Sequence, residues 1–381
     1  MGVHRTGHTG LGSRPAAVAP PLPALPGRER RLIETLLHLV NIESVSRHEA
    51  AITDWISHEL RAAGLTHLGG ASDWVAFGVP GGSGQRVVLA GHTDTVPAQG
   101  NLPGHAAAGV VYGLGASDMK ASLAVMLELA RWIAAERPAL ALDPVFLFFG
   151  HEELQLAESL LPRVLGTVRE VRDAALVLMM EPTANQLHAG CLGNIIARLE
   201  FDGLAAHSAR PWLGKNAIHE AVRGLQRIAS APIRDVELEG LTFREVVSVT
   251  TISGGVANNV IPDLVNCGVN FRYAPDRHPL EAEERLLELV GADGRLTVVS
   301  NAPPAPVALA NPLVARLRQI GGMGVAPKQA WTPVAEFAQA GLDAVNYGPG
   351  DPDYAHRRDE QVAVVALEES LSVLKRFLAR A

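Results

Sequence analysis

Apolar positions along the chain follow two periods, and the changes between them outline the fold. From Arg28 onward, Leu32, Leu36, Leu37 and Val40 recur on one face of a helix. Ser46 followed by Glu49 has the form of a capping box and predicts a second helix over 47–63. Arg86 to Ala90, after the Gly/Ser turn at 81–84, is a short apolar run of the kind that forms a buried parallel strand. A helix over 119–135 follows, opened by Asp118 as cap, with buried strands over 144–149 and 174–180. Near Asn194 the pattern changes. The segments 195–201, 245–253, 264–273 and 295–300 read as strands, and 216–230 and 279–290 as helices. Their order, βαββαβ, is that of a ferredoxin-like unit. Pro303, Pro304 and Pro306 then mark a boundary. Beyond it come helices over 312–320 and 333–340, a strand over 343–347 and a helix over 364–379, with Thr332 and Pro333 well suited to opening the second helix.

The pattern therefore predicts an α/β chain. Residues 29–193 and 305–381 should form a mostly parallel-sheet catalytic domain, with a βαββαβ domain inserted at 194–304. Residues 1–28, interrupted by Pro15, Pro20, Pro21, Pro23 and Pro26, read as a flexible tail.

Composition narrows the function. The 381 residues are 48% hydrophobic and 19% charged, with a net charge of −7, so no basic surface invites nucleic acid or anionic membrane. Two cysteines, Cys191 and Cys267, cannot make a disulfide framework, and no apolar run reaches membrane-spanning length. A soluble globular protein of a reducing cytoplasm is the expectation.

The candidate chemistry lies at the ends of the apolar strands. His92 and Asp94 follow the first, Glu152 and Glu153 the second, and Glu181 the third; Asp118 opens a helix and His356 lies near the end. Carboxyl ends of parallel strands are where open α/β sheets place ligands. Singly, each residue reads more readily as a cap, a loop residue or a solvated side chain. Together they form an oxygen and imidazole set without thiolate, suited to zinc, cobalt or manganese. Their number suggests two ions: one on His92 and Glu181, the other on Glu153 and His356, with Asp118 between. Glu152, left over beside them, is the candidate general base, and Asp94 would orient His92.

These residues sit in Gly91-His-Thr-Asp-Thr-Val-Pro97, Gly113-Leu-Gly-Ala-Ser-Asp118-Met-Lys120, Glu152-Glu153 and Glu181-Pro-Thr183, with the late His356. In these motifs the chain resembles the dinuclear zinc amidohydrolase and metallopeptidase family, which contains succinyl-diaminopimelate desuccinylase, acetylornithine deacetylase, aminoacylase and glutamate carboxypeptidase. The resemblance implies the same ligand assignments, two zinc ions, and a homodimer formed through the inserted domain. The segments 205–214, 258–262, 270–275 and 346–351 are most similar to desuccinylases of actinobacterial type. That similarity implies that His207 reaches the neighbouring subunit's site to stabilise the oxyanion. It also implies that Arg210, Asn259, Arg272, Thr332, Gly348 and Gly350 grip substrate carboxylates. The expected substrate is an N-acyl amino acid, with N-succinyl-LL-2,6-diaminopimelate foremost and acetylornithine, other acyl amino acids or a C-terminal glutamate as alternatives. A non-catalytic binding relative would lack a ligand or Glu152, and none is lacking. Two departures from the resemblance, Pro333 after Thr332 and His151 before the glutamate pair, bear on substrate preference.

Overall fold

The apolar run at Val87 to Ala90 lies within strand Gln85–His92, fourth of the eight strands in the larger sheet. The computed structural model describes residues 27–82 and 84–380. The order across the sheet is Thr66–Ala71, Trp74–Gly78, Leu142–Phe149, Gln85–His92, Leu176–Met179, Ala344–Asn346, Leu187–Ala189 and Val325–Pro327. Gln85–His92 is parallel to both neighbours, and Leu176–Met179 is parallel to Ala344–Asn346. Val87, Val88, Leu89 and Ala90 are fully buried, as a strand covered on both faces must be. Helix Lys120–Glu136 is apolar almost all round and packs against Gly27–Asn41 and Val364–Leu378. It approaches the central strand closely at Gly91, where a Cβ would meet Leu123 Cδ2 at 2.6 Å.

The second sheet is antiparallel, in the order Arg234–Leu238, Leu241–Gly254, Leu264–Tyr273, Gly193–Asp202, Arg295–Ala302. With helices Ala217–Ala229 and Pro279–Val290 it has its own core, including Leu199, Phe201, Phe271 and Leu286. Four of its strands keep the ferredoxin-like order. The fifth, Arg234–Leu238, is an addition to the expected set: of its residues only Val236 is buried, so it carries little apolar signal.

Three local expectations are corrected. The second helix begins at Ala50, because Ser46 donates its hydroxyl to Asp94 Oδ2 (2.8 Å) and Arg47 turns left-handed at φ 75°. Glu49 accepts the Arg47 N–H (2.7 Å) outside any helix. Asp118 does not cap; Met119 occupies that position. Likewise Pro333, not Thr332, precedes helix Val334–Gln339. The expected N-terminal tail lies outside the described residues, except that Gly27 and Arg28 open the first helix.

Candidate active site and metal centre

His92 is the last residue of its strand, Glu152 and Glu153 follow Leu142–Phe149, and Glu181 lies two residues after the end of Leu176–Met179. Parallel register brings these strand ends to one edge of the sheet. The loop ahead of helix Lys120–Glu136 adds Asp118, and the loop after Ala344–Asn346 adds His356.

His92 Nε2 lies 3.1 Å from Asp118 Oδ1 and 3.9 Å from Glu181 Oε1. His356 Nε2 lies 2.7 Å from Glu153 Oε1 and 3.5 Å from Asp118 Oδ2. The two oxygens of Asp118 thus face two different imidazoles, the geometry a bridging carboxylate needs. Ligand atoms of His92, Asp118 and Glu153 fall within 4.8 Å of one another. Glu181 Oε1 is buried without a hydrogen-bond partner among the described residues, an acceptor that a cation would satisfy. This donor set fits a pair of divalent cations.

The electrostatics agree. Glu153 holds His356 up to about 9. Burial opposes charge on His92, yet its bonds to Asp118 and Asp94 raise it well above the usual imidazole range. Burial raises Glu181 to about 7, with Asp118 adding repulsion. Glu152 is raised well above the usual carboxyl range by burial and by the Glu181 charge beside it. Crowded carboxylates sharing protons with imidazoles are a site whose protons a metal can displace.

Asp94 does more than face His92. Its main-chain oxygen lies 3.0 Å from His92 Nδ1, with the carboxylate 3.6 Å away. That carboxylate accepts the N–H groups of Glu152 and Glu153, each at 3.1 Å, and the Ser46 hydroxyl. It therefore holds the loop that presents both glutamates. Glu360, not singled out by the sequence, plays a similar part for Asp118. It is buried, pushed up to about 7 by that burial, and accepts the N–H groups of Gly115 (2.9 Å), Ser117 (3.0 Å) and Asp118 (2.9 Å). A glutamate four residues after His356 reads as solvated, so spacing offered no signal for it.

A cavity of about 620 Å³ opens over the cluster, lined by Glu152, Glu181, Arg272, Lys328, Trp331 and Thr332 among others. Arg272 and Thr332 are thus where substrate contacts were expected, whereas Lys328 was not anticipated. His207, Arg210 and Asn259 do not line it. They lie together on the exposed surface of the smaller unit, where Ala206–His207 pairs with Val260–Ile261 and Ser208 N–H donates to Asn259 O (2.9 Å). Gly348, expected to offer its backbone to substrate, donates its N–H to Thr183 Oγ1 (3.0 Å). A Cβ on Gly348 would meet Glu181 O at 2.6 Å, and one on Gly350 would meet Ser117 O at 2.2 Å. Both glycines let the ligand-bearing segments pack.

Residues 88–380 match peptidase family M20/M25/M40. The chain is 36% identical over 352 residues to the succinyl-diaminopimelate desuccinylase of Corynebacterium glutamicum, covering 90% of this chain and 94% of that one. It is 39% identical over 349 residues to a Mycobacterium tuberculosis protein provisionally described as the same enzyme, covering 91% and 97%. Among solved structures, a Staphylococcus aureus tripeptidase superposes with a TM-score of 0.74 at 20% identity, covering 92% of this chain and 97% of the other. Aminopeptidase PepT of Bacillus cereus gives 0.73 at 18%, covering 92% and 98%. With the acidic and imidazole cluster at the strand ends, these similarities place the chain in the M20/M25/M40 peptidase family, as a metal-dependent amidohydrolase.

Proposed function

We propose that the chain removes the succinyl group from N-succinyl-LL-2,6-diaminopimelate, releasing succinate and LL-2,6-diaminopimelate. It would act in the cytoplasm as a homodimer with two zinc ions per chain, for which cobalt or manganese can substitute. The relatives' names support the reaction. The observation that carries the substrate class is Arg272. Its guanidinium is partly buried in the cavity wall, its Nε donates to Asn270 Oδ1 (3.0 Å), and among the described residues no carboxylate pairs with it. Such a group suits a substrate carboxylate.

In this reading His92, Asp118 and Glu181 hold one ion and Asp118, Glu153 and His356 the other. When bound, the metals supply an acidified water and polarise the amide carbonyl. Glu152, which lines the cavity beside them, takes the water's proton and returns it to the leaving nitrogen. Asp94 keeps Glu152 and Glu153 in place through their main-chain N–H groups. Arg272 and Thr332 bind substrate carboxylate.

His207 of a second copy would complete the oxyanion site, with Arg210 and Asn259 beside it. Two features support a dimer through the smaller unit. Trp212, Leu213, Val222 and Val256 are exposed on it, and Val246 to Gly254 has a strand neighbour on one side only among the described residues.

The test is kcat/KM for N-succinyl-diaminopimelate against N-acetylornithine in the zinc-loaded protein. The succinyl substrate should be strongly preferred, and Arg272→Met should cost about 2–5 kcal/mol of that preference. Comparable rates on both substrates would instead mark a broad-specificity deacylase.

A further inference from the structure

We infer that Lys328 is a second cationic anchor in the cavity, and that it binds the substrate carboxylate attached to the carbon bearing the scissile nitrogen. The inference rests on the proposed function in requiring an acyl amino acid as substrate and Glu181 as a metal ligand.

Lys328 directly follows strand Val325–Pro327 and lines the same cavity as Thr332 and Arg272. It is only 7% exposed. An ammonium has three hydrogens to donate, and burying it without partners is costly. Among the described residues Lys328 Nζ has a long bond to Pro182 O (3.4 Å) and faces Glu181 Oε2 at 3.9 Å. Neither satisfies it well. The carboxylate opposite it, moreover, is one assigned to a metal ion, and once Glu181 neutralises a cation it no longer offsets the ammonium. The cavity lining then carries Lys328 and Arg272 without an acidic partner for either. Two such cations lining one cavity suit a carboxylate.

Position selects which carboxylate. Lys328 Nζ is 3.9 Å from Glu181, whose other oxygen is 3.9 Å from His92 Nε2, so the ammonium sits at the edge of the reacting centre. The carboxylate on the amine side is one carbon removed from the scissile nitrogen. The far end of a succinyl group lies beyond two methylenes, and the distal carboxylate of diaminopimelate is farther still. The nearest one is within reach of Lys328.

The experiment compares N-succinyl-LL-diaminopimelate with Nε-succinyl-L-lysine, the same molecule without that one carboxylate, in the wild type, Lys328→Met and Lys328→Arg. Lys328→Met should lower kcat/KM at least about 30-fold on the first substrate, as loss of a buried charge pair does, and leave the second within about threefold. Lys328→Arg, which keeps a cation, should recover much of the preference. Metal content by calorimetric titration should stay at two ions in both variants. Equal losses on the two substrates, or loss of metal from Lys328→Met, would overturn the inference and make Lys328 a prop for Glu181. If the wild type cleaves neither succinyl compound, the proposed function fails. The inference is then tested on whichever acyl amino acid it does cleave, against the same acyl amine lacking the carboxylate, such as N-acetylornithine against N-acetylputrescine.

Discussion

Replacing Asp94 by Ala separates two tasks that one residue performs. The substitution deletes the carboxylate but keeps the main-chain oxygen that faces His92 Nδ1 at 3.0 Å. What disappears is the acceptor for Glu152 N–H, Glu153 N–H and the Ser46 hydroxyl, together with the carboxylate 3.6 Å from His92 Nδ1, on a residue 1% exposed. Hydrogen bonds to a charged group contribute about 1.5–3 kcal/mol each. Three would give roughly 5–9 kcal/mol, but water entering from the cavity replaces part, leaving about 3–6 kcal/mol. Urea unfolding of the metal-free protein should show that loss at pH 7. Burial works against the Asp94 charge, but its contacts with His92 and Ser46 hold the carboxyl below its ordinary 3.8 in the folded state. Its ionised form therefore adds stability above that value, and the difference between wild type and variant should shrink as pH falls below it. Metal titration then locates the effect. Asp94→Ala should be strongly non-additive with Glu153→Gln, whose loop it holds. Wild-type stability, or additivity with Glu153→Gln, would refute the reasoning.

Two further outcomes follow from the geometry. Mixing inactive Glu152→Gln chains with inactive His207→Ala chains should restore part of the activity if His207 serves the partner's site, and no recovery in verified hybrid dimers would remove it from that role. Gly348→Ala places a Cβ 2.6 Å from Glu181 O and should cost about 1–3 kcal/mol of stability together with metal affinity; an unchanged, fully metallated variant would show that the close packing there is dispensable.

The large sheet was legible because its strands are unbroken apolar runs between turn signals, and the clustering of the candidate metal-binding residues because acidic and imidazole residues stand at the ends of those runs. Ser46-x-x-Glu49 misled because the same four residues can cap a helix or tie a loop, and the long-range bond to Asp94 decided between them. Arg234–Leu238 was missed because its one buried residue leaves no alternation to detect. Glu360 and Lys328 were invisible for a different reason. Charged residues read as solvated until the chain is seen to fold over them, and only then do the N–H groups around Glu360 and the cavity beside Lys328 appear. Gly348 shows the converse: its value lies in the space it leaves for Glu181, which no spacing rule reveals.

The central claim is that adjacent glutamates do different work, Glu153 holding metal and Glu152 moving the proton. Metal content and amide hydrolysis measured side by side in Glu152→Gln test it most directly. The variant should keep close to two metal ions per chain while its rate falls about 10²–10⁴-fold, as loss of a general base does. If Glu152→Gln loses metal as readily as Glu153→Gln, or keeps wild-type activity, the division of labour is wrong.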